Sequence, residues 1–260
     1  MRIVTVFLLF ALGVADAVSA ESPDSPALQR WDRVVCIESR DTNDPKTGKL
    51  CSAFLVHADK RLFLVTSGHS SAETNRNSRL IFRDRSGQSR GAAFTALFVG
   101  ESNPWTRDKV SDFAVAQLEP EENGRTHFEL LMAISIPLEN VSTASLSRTT
   151  RIEAVGFPLA LGAKSPVSPV VVVGHVASDE IDSKNDWGVE PIVYCSPPLA
   201  QGTSGGPAFI GDESTENATV VGMYVGIVRD VSGAKLSKMV PSRLIHAAIS
   251  DRVDSSVLSE

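Results

Sequence analysis

A serine set among small residues, Gly202-Thr203-Ser204-Gly205-Gly206-Pro207, is the stretch whose residue types most directly imply chemistry. A glycine turn removes the side chains that would keep a carbonyl at a distance. It also lets the backbone N–H groups of Gly202 and Ser204 point into one small space, where a developing oxyanion could be held. A serine hydroxyl is a weak nucleophile near neutral pH, so it needs a base and a group to orient that base. His69 is the candidate base, because the apolar run Leu62-Phe63-Leu64-Val65-Thr66-Ser67-Gly68 delivers it at a strand-to-loop corner. Asp112 is the candidate orienting acid, opening the alternating run Phe113-Ala114-Val115-Ala116-Gln117-Leu118. These residues follow in the order His, Asp, Ser and lie far apart, so only tertiary structure can join them. Asp108, flanked by Arg107 and Lys109, is the rival acid, and its charged setting reads as exposed. His57, His127, His175 and His246 read as structural or solvated.

At this point the chain resembles the chymotrypsin-like (trypsin-like) serine proteases and, within them, the bacterial Deg-type and related secreted trypsin-like peptidases without a PDZ domain. Further segments share the resemblance: Cys51-Ser52-Ala53-Phe54-Leu55-Val56 before the histidine strand, Glu153-Ala154-Val155-Gly156-Phe157-Pro158, Val173-Gly174-His175-Val176, and the closing Val220 to Gly226 and Val240-Pro241-Ser242. The resemblance implies a serine endopeptidase working through an acyl-enzyme on protein or peptide substrates. Ser204 would be the nucleophile, His69 the base and Asp112 its partner, with the N–H groups of Gly202 and Ser204 as the oxyanion hole. It also implies that Pro198, Gly226, Ile227 and Val228 line the pocket for the residue before the scissile bond. Proline at the pocket base leaves a substrate cation without a partner, so small or medium apolar side chains are expected there; a loop acid such as Asp230 could alter that. No metal or organic cofactor is expected. The alternative is a catalytically silent binding protein of the same fold, although no triad residue is missing.

Gly202-Thr203-Ser204-Gly205-Gly206 also satisfies the nucleophile elbow of α/β-hydrolases, in which Asp and His follow the serine. The stretch from Ser204 to residue 260 is too short to complete that sheet, and His246 falls in an expected terminal helix. That reading fails.

Residues 1–20 read as a secretory signal, with Arg2, an apolar run from Ile3 to Ala15, and the small-residue site Val18-Ser19-Ala20. Export to the periplasm or medium follows, with no membrane contact after cleavage. The 31 acidic residues outweigh the 25 basic ones, for a net charge of −6, which disfavours nucleic acid as a partner. Three cysteines are present. Cys36 and Cys51 flank a hairpin, and a disulfide between them is expected in an oxidising compartment. Cys195 reads as a buried small apolar residue beside the serine loop. Animal members of the resembling family carry a cysteine after the histidine; here that residue is Ser70.

Short apolar or alternating runs between turn residues predict an all-β protein of two six-stranded antiparallel barrels with a C-terminal helix. The expected division is 21–135 for the barrel with His69 and Asp112, 136–240 for the barrel with Ser204, and 241–260 for the helix and tail. Strands are expected at Arg33–Glu38, Cys51–His57, Leu62–Thr66, Leu80–Asp84, Phe94–Val99 and Phe113–Glu119, then at Arg151–Gly156, Val170–Ala177, Pro191–Cys195, Pro207–Ile210, Thr219–Val228 and Ser237–Val240. A polar linker is expected near 120–140. Leu244, Ile245, Ala248 and Ile249 share one face of the terminal helix, which is expected to pack on the second barrel.

Overall fold

Alternating apolar residues become strands, and the central ones are apolar on both faces because both faces are covered. In the computed structural model, which describes residues 29–40, 48–100, 103–185, 188–211 and 218–257, β1 (Val34–Arg40), β2 (Gly48–Ala58), β3 (Arg61–Ser67), β4 (Arg79–Arg83), β5 (Ser89–Ala93), β6 (Thr106–Arg107), β7 (Phe113–Gln117) and β8 (Ile136–Pro137) form one sheet. Its order is β5-β4-β1-β2-β3-β7-β6, with β8 joined to β2. A second sheet comprises β9 (Arg151–Gly156), β10 (Val170–Val176), β11 (Ile181–Asn185), β12 (Gly188–Ser196), β13 (Pro207–Ile210), β14 (Thr219–Arg229) and β15 (Lys235–Pro241). Pairing of β10 with both β9 and β12 closes six of these strands into a ring, leaving β11 as an added arm. Apart from the short β8, which runs parallel to β2, strands within each sheet pair antiparallel. The expected secretory signal, residues 1–20, lies outside the described residues.

Three apolar clusters follow from the two-residue period of the strands. Leu55, Leu62, Leu64, Ala114 and Ala116 face the interior of the first sheet. Their neighbours Phe54, Phe63, Val65, Phe113 and Val115 face the other way, into a seam shared with Phe157, Phe209, Val220 and Met223 of the second half. Ile152, Ala154, Val193, Val221 and Met239 fill the second barrel. Among the described residues, helix α1 (Gly68–Ala72) follows β3, and helix α4 (Ser242–Val257) follows β15. Ile245 and Ile249 of α4 belong to the seam, with Leu244 and Ala248 packed against it. Arg61 of β3 donates to the carbonyls of Arg252 and Val253 at 3.2 and 3.1 Å. The helix therefore touches both halves, not the second barrel alone.

Several expectations need correction. Phe94–Leu97 is a helical turn, α2, not a strand, and β5 lies just before it. The stretch expected as linker contains α3 (Arg125–Ile134), which buries Leu131 and Ile134. Cys36 and Cys51 are free thiols. In the β1–β2 register Cys36 stands opposite Ser52, and Cys51 opposite Ile37. The two thiols thus point to opposite faces, Cys36 into the seam and Cys51 toward the first interior. Cys195 is buried, as expected, and burial raises its thiol pKa to about 12.

Candidate active site

Strand register brings the base and acid together. Ser67, the last residue of β3, pairs with Phe113, the first of β7. Gly68-His69 just beyond one strand and Asp112 just before the other must then lie side by side. The Gly68 N–H donates to Asp112 C=O at 3.1 Å. The His69 N–H donates to Asp112 Oδ1 at 2.8 Å, and His69 Nδ1 sits 2.6 Å from Oδ2. Both carboxylate oxygens are thus committed to one residue. With the carboxylate ionised, only an Nδ1–H can complete the second bond, which leaves Nε2 with its lone pair exposed as an acceptor. Approach this close depends on Gly68, where an added Cβ would stand 2.9 Å from Asp112 Oδ1. Asp108, the rival acid, is exposed. Its Oδ1 accepts the N–H groups of Val110 and Ser111 at 2.9 and 2.7 Å, bracing the turn that delivers Asp112.

Ser204 enters the same space from the second barrel. His69, Ser204, Gly202, Gln201, Leu159 and Ala160 line one cleft of about 390 Å³, together with Leu50, Cys51, Ser70 and Glu73. Ser204 Oγ makes no hydrogen bond among the described residues; the polar neighbour of His69 Nε2 is instead Ser67 Oγ, at 3.4 Å. Ser67 Oγ gives its one proton to Ser70 Oγ at 2.6 Å, so it does not donate to Nε2 and leaves that lone pair free. Cys51 is half-buried at the cleft wall, and burial raises its thiol pKa to about 11, well away from a reactive thiolate.

The serine turn is held by a dense set of backbone bonds. Thr203 N–H donates to Ala200 C=O at 3.3 Å, Gly205 N–H to Tyr224 C=O at 2.7 Å, and Gly206 N–H to Thr203 C=O at 2.8 Å. Among the described residues, the N–H groups of Gly202 and Ser204 have no acceptor. Gly205 is left-handed, with φ of 86°, and a Cβ there would land on Ser52 O and Thr66 Oγ1. Only glycine fits. Leu159 and Ala160 are also left-handed, which turns the chain back so that Leu159 N–H reaches Gln201 C=O at 2.7 Å. Such conformations are costly in non-glycine residues and cluster at functional sites.

Ser52 of β2 is a participant that sequence reasoning missed. It is fully buried. Its N–H donates to Ser204 C=O at 3.0 Å and its Oγ to Gly202 C=O at 2.8 Å. The same Oγ accepts from Phe157 N–H at 2.9 Å, and Ser52 C=O accepts from Thr66 Oγ1 at 2.8 Å. Apart from Thr66, these partners are backbone groups more than a hundred residues away, which leave no mark in residue types.

Pro198, Gly226, Ile227 and Val228 do not line the cleft that holds His69 and Ser204. Pro198 is exposed, between Pro197 and Leu199, which are both tied to Ser237 Oγ at 3.1 and 3.0 Å. Gly226 has open space beside it, and Ile227 and Val228 are about two-fifths exposed on β14. Asp230 sits in the β14–β15 turn, where the Ser232 hydroxyl and N–H hold its carboxyl below the usual range. His57 pairs with Ser135 Oγ at 2.7 Å, outside the cleft. Among the described residues, no group of three or more His, Cys, Asp and Glu side chains could hold a metal ion.

Two antiparallel sheets meeting at a cleft, with imidazole and carboxylate on one and a serine turn on the other, define the trypsin-like class. A family model described as trypsin-like peptidase domain matches residues 51–223, more than half of the chain, and the protein belongs to that family. Comparison with curated proteins finds no match. Among solved structures, the apo MamO protease domain from Magnetospirillum magneticum is similar with a TM-score of 0.56 at 15% identity, over 85% of this chain and 97% of that one. The active form of the Rv3671c protease from M. tuberculosis matches at 0.53 and 17%, over 90% and 89%. An HtrA-type protease, AlgW, in a variant bound to a tripeptide, matches at 0.54 and 17%, over 84% and 59%. These three likenesses concern the fold alone.

Proposed function

We propose that the protein is an exported serine endopeptidase that cleaves peptide bonds through Ser204, His69 and Asp112. The observation that carries this reading is the double grip of Asp112 on His69, which turns Nε2 into an acceptor at a cleft shared with Ser204. Ser204 Oγ would attack the scissile carbonyl carbon while His69 Nε2 takes the hydroxyl proton. The carbonyl oxygen would gain its charge beside the otherwise unengaged N–H groups of Gly202 and Ser204, an interaction whose loss costs about 3–4 kcal/mol in comparable sites. As the C–N bond breaks, Nε2 returns the proton to the departing amine. Water then repeats the sequence on the acyl-enzyme, again with His69 as base. Protein or peptide chains are the substrates in this reading. An apolar pocket at Pro198, Gly226, Ile227 and Val228 belongs to it as well, although it rests on the family resemblance.

The absent bond between Nε2 and Ser204 favours a second reading, a silent binding protein of the same fold. Nucleophile–base bonds are often loose in unliganded sites and tighten with substrate, so the hydrolase reading is the stronger. A fluorophosphonate probe separates the two. Covalent labelling of the wild type that disappears in Ser204→Ala supports the enzyme; no labelling of the wild type refutes it. Export is tested by expressing the whole chain in a bacterial host. Protein recovered outside the cytoplasm and starting near Glu21 is expected, and intact protein in the cytoplasm would refute the signal. No helix among the described residues is long and apolar enough to cross a membrane.

A further inference from the structure

We propose that Ser52 is the positioning residue of the oxyanion-binding turn, gripping from the opposite sheet the carbonyls of the two residues whose N–H groups receive the charge. The proposal rests on the reading that Gly202 and Ser204 supply those N–H groups.

A trans peptide unit is planar, so its C=O and N–H point in opposite directions and fixing one aims the other. The Gly202 N–H shares a unit with Gln201 C=O, which Leu159 N–H holds at 2.7 Å. The Ser204 N–H shares a unit with Thr203 C=O, held by Gly206 N–H at 2.8 Å. The two units that alternate with these carry the carbonyls of Gly202 and Ser204, and Ser52 holds both, at 2.8 and 3.0 Å. Four consecutive peptide planes are thereby fixed: all four have a partner within the second half, Thr203 N–H and Gly205 N–H included, and the two that carry the Gly202 and Ser204 carbonyls are gripped at their other end by one residue of the first. Ser52 Oγ also accepts from Phe157 N–H. That bond anchors the segment whose other end, Leu159, aims the Gly202 unit. Loss of Ser52 Oγ would therefore loosen the Gly202 N–H from two sides, while its own backbone bond to Ser204 persists. The Ser52 hydroxyl is buried and touches neither His69 nor the cleft, so its effect on turnover can only pass through the turn. Oxyanion donors act by being fixed in advance, so such loosening should appear in turnover rather than in substrate affinity.

The test compares the full-length wild type with Ser52→Ala and Ser52→Cys, the latter keeping the shape with a poor hydrogen-bonding group. Ser52→Cys also serves if the alanine variant does not fold. Kinetics on a fluorogenic peptide should show kcat lowered about 10- to 100-fold, short of the full loss of a donor, with KM within about threefold. Hydrogen–deuterium exchange over residues 200–206 should speed up in both variants, at the protected Gly205 and Gly206 N–H groups above all, while β4 and β10 keep wild-type protection. Unchanged exchange in the turn overturns the proposal, as does a cysteine variant that matches wild type in kcat, because shape alone would then suffice. A matched rise in KM overturns it too. If the wild type itself neither turns over peptide nor takes the fluorophosphonate, the hydrolase reading fails, whereas the exchange result still decides whether Ser52 holds the turn.

Discussion

Gly68→Ala should slow the enzyme without unfolding it. The added Cβ would stand 2.9 Å from Asp112 Oδ1, about 0.5 Å inside ordinary van der Waals separation. Backbone strain adds little, since Gly68 is not among the positive-φ residues, and alanine restricts the unfolded chain by about 0.4–1 kcal/mol in favour of folding. The carboxylate is therefore what moves. Oδ1 is the acceptor of His69 N–H at 2.8 Å, and its twin Oδ2 lies 2.6 Å from Nδ1, so rotation of the group disturbs both bonds that orient the imidazole. Catalytic constellations must be held to within about 0.5 Å of their productive geometry, and a misplacement of about 1 Å costs on the order of 10²-fold. A shift of half that size should lower kcat/KM about tenfold. Asp112→Asn, which reverses the tautomer, should cost about 10⁴. Steady-state kinetics on a peptide substrate, paired with thermal unfolding, provide the assay. Gly91→Ala is the control, because a Cβ there meets nothing closer than Leu80 O at 3.8 Å. Activity of Gly68→Ala within twofold of wild type would refute the reasoning.

Three further outcomes are expected. Arg30→Ala should cost about 1–3 kcal/mol in urea unfolding, because Glu153, 9% exposed, loses the 3%-exposed guanidinium 2.7 Å from its carboxylate and keeps only the more exposed Arg151, at 3.0 Å, as an ionic partner; a loss below about 0.5 kcal/mol would show the pair to be inert. Burial raises the Asp84 pKa, but donors from Ser86, Arg90 and Gln88 outweigh it and hold the carboxyl below its usual range. Its stabilisation is then present above the unfolded carboxyl pKa of about 3.9 and lost as pH falls through the lower folded value. Asp84→Asn should accordingly destabilise by about 1–3 kcal/mol at pH 7 and by progressively less below pH 4, and an equal penalty at both would contradict the assignment. Alkylation of the unreduced, denatured protein should modify Cys36, Cys51 and Cys195 alike, and reductant should leave Tm unchanged; a bridged pair by mass spectrometry would reverse the correction made from the β1–β2 register.

What the chain revealed before its structure divides along physical lines. Arg151–Gly156 and Pro207–Ile210 were readable to the residue, since runs of small and apolar residues bounded by turns have few other uses. Phe94-Thr95-Ala96-Leu97-Phe98 was not. Its apolar residues at spacings of three and four suit a helix as well as a strand, and tertiary packing chose α2, burying Phe94 and Leu97. β5 and β11 escaped notice because the first is built mainly of small residues and the second is largely polar, and both are largely exposed, so no apolar alternation marks them. His69 and Asp112 could be placed because a polar residue at the end of an apolar strand has to face something. The thiols misled for the same periodic reason: residues 51 and 52 point opposite ways, and one step of register decides which of them meets Cys36.

Helix α4 and the seam beneath it give the molecule a division of labour that bears on how damage to it would be felt. Imidazole and carboxylate ride on the first sheet, the serine turn on the second, so neither half alone holds all three side chains of the proposed centre. The gap between Nε2 and Oγ is therefore a property of how two bodies sit together, set by Phe63, Val65, Phe157 and Met223 at their junction and by Ile245 and Ile249 laid across it. Removing a single methylene from Ile245 or Ile249 would cost only about 0.5–1.5 kcal/mol, yet any relative shift of the two halves alters that gap directly, whereas truncating the fully buried Phe63 or Phe157 would also cost stability heavily. Turnover is accordingly a finer gauge of that junction than melting temperature.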